Sequence, residues 1–111
     1  MSLRLGVVAM SLKMIMIVFN ISIQEEVLEV VQGLGVTCYT RWPRVVGKGT
    51  TTGPKLDDNV WPGANSALIT VIDEAAAADL MDAIQKLRDE IGAHEGVKAF
   101  QIPVEKMTGD V

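Results

Sequence analysis

The sequence predicts an α+β fold of ferredoxin-like type, β-α-β-β-α-β, with a four-stranded antiparallel sheet carrying two helices on one face. Three observations lead there. Segments 13–20, 36–42, 65–72 and 97–104 have strand character, and the segments after the first and third have helical spacing. The strands at 13–20 and 65–72 are apolar on both faces, so their sheet must be covered on both sides. No third helix is available for the second face. Another copy of the chain is the most economical cover, and the expectation is a closed homo-oligomer with its sheets packed at the centre.

The elements follow in order. In the first strand Met14, Met16 and Val18 alternate with Ile15, Ile17 and Phe19. Ser22 reads as the N-cap of the first helix, with Glu25 at the capping-box position. Val27, Leu28, Val30, Val31 and Leu34 follow at helical spacing, and Gly33 and Gly35 stop the helix. The second strand is read over 36–42. The third, at 65–72, has the sequence NSALITVI. Asp73 caps a second helix over 74–91, whose inner face is Leu80, Ile84, Leu87 and Ile91 and whose outer face carries Asp79, Asp82, Lys86 and Asp89. Residues 92–96 form a turn. In the last strand Phe100, Ile102 and Val104 share a face, and Pro103 places the strand near an edge or at its own end.

At 111 residues the chain is one domain. Residues 1–12 are read as a leader outside the core, and 13–111 as a single domain with a long loop at 43–64. The apolar run at 5–18 is interrupted by Lys13 and is shorter than the roughly 18 apolar residues of a membrane span. Formal net charge is −4, which argues against general nucleic-acid binding. The single cysteine, Cys38, fits a reducing compartment, so a cytoplasmic location is expected.

The loop concentrates unusual residues. Segment 41–65 holds three of the four prolines, four of the ten glycines and both tryptophans. Arg41, Arg44, Lys48 and Lys55 lie there, and no acid occurs between Glu29 and Asp57. A positive loop on an acidic body points to an anionic ligand or partner. The run Gly47-Lys48-Gly49-Thr50-Thr51-Thr52-Gly53 offers backbone N–H groups, hydroxyls and a lysine to an anion. It is not a Walker A sequence, and it lies between two strands.

The segment Gly96-Val97-Lys98-Ala99-Phe100-Gln101-Ile102-Pro103-Val104-Glu105, with the element order and the loop position, resembles the PII signal-transduction superfamily. Lys98, Phe100, Pro103, Val104 and Glu105 match that family's final strand, G-K-I-F-V-L-P-V-E. The resemblance implies a homotrimer with ligand clefts between subunits. It also implies adenine nucleotides as ligands and a T-loop that docks onto a membrane transporter, an efflux system or an enzyme. The implied site is Lys98, the turn with Gly92 and Gly96, and the loop base with Arg41, Arg44, Gly47, Lys48 and Gly49. The chain departs from the family in three places. Its only tyrosine, Tyr39, precedes the loop, Val97 stands beside Lys98 where a glycine is usual, and EKMTGDV follows in place of the phosphate-holding arginines.

Two other readings stand beside this one. A CutA-type metal-binding protein, on the same fold, would use Cys38 or His94, the only residues of their kinds. A ligand-free oligomeric adaptor would use the loop alone. Trp42 and Trp61, each followed by proline, are read as anchors of the loop ends. Adjacent Asp57 and Asp58 lack the buried setting that acid–base catalysis needs. No nucleophile–base pair is visible, and the chain is not read as an enzyme.

Overall fold

The computed structural model describes residues 11–49, 53–55, 64–92 and 96–109. Among these, the order is β1 (Leu12–Asn20), a 3-10 turn (Ile21–Ile23), α1 (Gln24–Gly33), β2 (Thr40–Val45), β3 (Gly47–Gly49), β4 (Gly53–Lys55), β5 (Asn65–Asp73), α2 (Glu74–Ile91) and β6 (Val97–Pro103). The main sheet has strand order β2-β5-β1-β6, and all its pairings are antiparallel. This is the expected ferredoxin-like sheet. Within the segment read as the long loop, β2 runs on to Val45, and β3 and β4 form a separate two-stranded hairpin.

Alternation along the strands divides the side chains between two faces. Ile15, Ile17, Phe19, Leu68 and Val97 are buried with Val27 and Val31 of α1 and with Leu80, Ile84 and Leu87 of α2. Both helices therefore pack on one face. The opposite face presents Trp42 from β2, Ala67, Ile69 and Val71 from β5, Met14, Met16 and Val18 from β1, and Phe100 and Ile102 from β6. In the single chain Trp42, Phe100 and Ile102 are 45%, 47% and 42% exposed. The apolar second face expected from the strand pattern is present.

Three local expectations are corrected. The first cap is Asn20, not Ser22: its side chain accepts from the Ser22 N–H and opens the 3-10 turn, and α1 starts at Gln24 without a side-chain cap bond. The second strand starts at Thr40, not at residue 36, because Val36 belongs to the end of α1. The Val36 N–H donates to the Val31 carbonyl and the Gly35 N–H to the Gln32 carbonyl, with Gly35 at φ +82°. This is a Schellman closure, in which a glycine supplies the left-handed residue. Finally, β6 ends at Pro103, although the Val104 N–H still reaches the Leu12 carbonyl at 3.1 Å.

Candidate functional site

The end of the sheet at Asn20 is where the chain's returning segments meet. The Asn20 N–H donates to the Gly96 carbonyl at 2.9 Å, and the Ile21 N–H to the Ala64 carbonyl at 3.0 Å. Ala64 leads into β5 and Gly96 into β6, so the return from the loop and the turn after α2 are pinned side by side. Val45, the last residue of β2, pairs with Asn65 at the same end. Gly47 also packs there: a Cβ on it would lie 3.6 Å from Asn65 Nδ2. The loop base and the 92–96 turn thus share one end of the molecule.

They do not share an edge. Trp42, Ala67, Val18 and Lys98 stand abreast across the sheet. With strands about 4.8 Å apart, the two ends of that row are about 14 Å from each other. Arg41, Arg44 and Gly47 belong to the β2 side, and Lys98 and Gly96 to the β6 side. Within one chain the structure does not bring these two groups together. Arg41 is half-buried opposite Leu68 on the helix side, whereas Arg44 and Lys98 are exposed.

The base of the loop is held by unusual means. Between Trp42 and Val45 two residues of β2, Pro43 and Arg44, face one residue of β5, Ser66, which makes a bulge. Proline has no N–H to donate, so an edge-strand bulge is a place that accepts it. Two buried hydroxyls of β5 reach across to this segment. Ser66 Oγ donates to the Trp42 carbonyl at 3.0 Å, and Thr70 Oγ1 donates to the Cys38 carbonyl at 2.7 Å. Sequence reasoning passed over both, taking NSALITVI as apolar on both faces. Two hydroxyls at spacing four on the core side of a strand were the signal.

Gly92, after α2, and Gly96, before β6, both have positive φ, +85° and +71°, and residues 93–95 of the expected turn lie outside the described residues. Lys48 and Gly49 belong to β3, where Lys48 pairs with Pro54 and Gly49 with Gly53. His94, Trp61, Asp57 and Asp58 lie outside the described residues. Cys38 is exposed, with the Thr37 hydroxyl 3.9 Å from its sulfur. Among the described residues no group of three or more His, Cys, Asp or Glu side chains gathers as a metal set. Among them, too, no helix is long and apolar enough to cross a membrane.

A ferredoxin-like sheet with one apolar open face and a long segment between β2 and β5 is an architecture that PII-type proteins share. Residues 12–109 match the family model described as "Nitrogen regulatory protein P-II". The chain belongs to this family of regulatory proteins. Among solved structures, CPII, a nitrogen regulatory PII-like protein from Thiomonas intermedia K12 bound to ADP, AMP and bicarbonate, aligns with TM-score 0.63 at 23% identity over 86% of this chain and 90% of that one. A protein from Thermus thermophilus described as PII-like and signaling aligns with TM-score 0.58 at 26% identity, over 86% and 88% of the two chains. The B. subtilis GlnK–ATP complex aligns with TM-score 0.55 at 14% identity, over 83% and 82%. A comparison with curated protein sequences found no match.

Proposed function

We propose that this protein is a cytoplasmic, non-enzymatic PII-like regulator that assembles as a homotrimer and binds a small anionic ligand in the clefts between its subunits. The ligand is an adenine nucleotide. Lys98 and the turn with Gly92 and Gly96 contribute from one subunit. The loop base with Arg41, Arg44, Gly47, Lys48 and Gly49 contributes from its neighbour. Occupancy biases the loop between two states, one of which meets a partner such as a membrane transporter or an efflux system.

One observation carries the reading. The two halves of the implied site lie at the same end of the sheet but on opposite edges, about 14 Å apart across the row from Trp42 to Lys98. A site split in this way is completed when the β2 edge of one copy meets the β6 edge of another, and the apolar open face supplies a reason for copies to associate. The family membership and the ADP and AMP bound by the Thiomonas protein support a nucleotide as the ligand.

The test is thermal unfolding against ATP, ADP, AMP, cyclic nucleotides, bicarbonate, citrate and salts of Zn, Cu and Ni. A ligand that binds the native state raises the midpoint by mass action. The expected result is a rise with an adenine nucleotide that Lys98→Ala removes. A rise with metal salts alone, lost in Cys38→Ala, would establish the CutA-type reading in its place. No rise with any compound would leave an adaptor that works without a small ligand.

A further inference from the structure

Arg88 sits in the last turn of α2 and forms hydrogen bonds to both sides of the 92–96 turn. Its carbonyl accepts from the Gly92 N–H at 2.9 Å, which closes the helix. Its guanidinium Nη1 donates to the carbonyl of Val97, the first residue of β6. That carbonyl belongs to an edge strand, where half of the backbone groups have no neighbouring strand to pair with. Val97 is itself buried, and Lys98 follows it directly. On the far side the Asn20 N–H holds the Gly96 carbonyl. The chain just before Lys98 is therefore gripped from α2 by Arg88 and from β1 by Asn20.

We propose that Arg88 is the positioning residue for Lys98, fixing the exit of the turn so that the lysine is presented to an anion at a set place. This rests on the nucleotide-binding reading above. Three features favour the role. Gly92 and Gly96 both stand at positive φ and carry no side chain, so the entry to β6 gains definition from a tether outside its own backbone. Arg88 lines a recess of about 220 Å³ between α2 and β6, next to Val97, and among the described residues its lining holds no acid to compete for the guanidinium. The guanidinium thus tethers the strand from the helix side, while Lys98, abreast of Val18, is carried on the opposite face. A planar guanidinium also keeps its geometry better than the flexible ammonium of lysine.

The test compares wild type, Arg88→Met, Arg88→Lys and Lys98→Ala in two measurements. The first is amide hydrogen exchange without ligand. Arg88→Met should exchange residues 96–99 at least tenfold faster while β1 and β5 stay unchanged. The second is the ADP dissociation constant well below the melting temperature. Arg88→Met should weaken ADP at least tenfold, and Arg88→Lys should recover part of the loss. Unchanged exchange at 96–99 overturns the proposal. So does faster exchange with an unchanged dissociation constant, which would leave Arg88 with a structural role only. If wild type binds no adenine nucleotide, the previous section's reading fails, and the exchange measurement still judges whether Arg88 holds the turn.

Discussion

Ser66 and Thr70 hold β2 and the chain just before it through buried hydroxyls. Ser66 is fully buried and Thr70 is 3% exposed, yet both are polar, so each needs a partner inside the fold. Their partners are the carbonyl of Trp42, on a strand whose ladder is interrupted at Pro43, and that of Cys38, two residues before the strand begins. Ser66→Ala removes one such bond and should cost about 1 kcal/mol in urea denaturation. The accompanying amide exchange should quicken over 38–45 and not over β1. Gly92 is the second informative residue. At φ +85° and ψ 159° it occupies a region that essentially only glycine adopts. A Cβ there would meet no atom within 4 Å, so the cost of Gly92→Ala is conformational. It should be about 1–3 kcal/mol, read as a lower melting temperature.

Among the elements, α2 was the most legible and β2 the least. The helix Glu74–Ile91 has the predicted bounds because three local signals agree: Asp73 at its start, the stripe through Leu80, Ile84 and Leu87, and Gly92 at its end. The Asp73 side chain accepts from the Ala76 N–H at 2.9 Å, so Asp73→Ala should destabilise the protein by about 0.5–2 kcal/mol in calorimetry. The start of α1 had a misleading signal. Ser22 and Glu25 resemble a capping box, but Asn20 captures the Ser22 N–H first, and a 3-10 turn precedes the α-helix. For β2 the sequence pattern was right in type and displaced in position. Val36 packs as the hydrophobic end of the α1 closure, and strand pairing waits until Thr40 meets Ile69. Neither Arg88 nor the Ser66 and Thr70 hydroxyls could be assigned from spacing, because their partners lie 9, 24 and 32 residues away.

For the molecule as a whole, the open sheet face is the determining feature. Phe100 and Met16 face each other across β6 and β1 in its middle, opposite the helices. A charge at Phe100 would stay hydrated in the lone chain but would be buried in a sheet-to-sheet assembly, where an unpaired charge is costly. Phe100→Glu should therefore leave the circular dichroism spectrum in place and move the mass measured by light scattering from trimer to monomer. An unchanged mass would show that copies do not meet through this face. Because the proposed cleft needs two copies, the same variant should lose its nucleotide-dependent melting shift.

Element order, the helix-side core and the need for a cover on the second face all follow from local periodicity, which each segment carries within its own residues. Ile15, Ile17 and Phe19 alternate with Met14, Met16 and Val18 whatever their neighbours are. The placement of Arg41 and Lys98 at opposite edges is of another kind. It depends on the order β2-β5-β1-β6, which is set by pairing between segments far apart in the chain. The grip of Arg88 on the Val97 carbonyl likewise exists only once α2 has packed beside β6 and left that edge open. Hydrogen-bond partners across such gaps are chosen by the assembled fold, so they enter the account only with the tertiary structure.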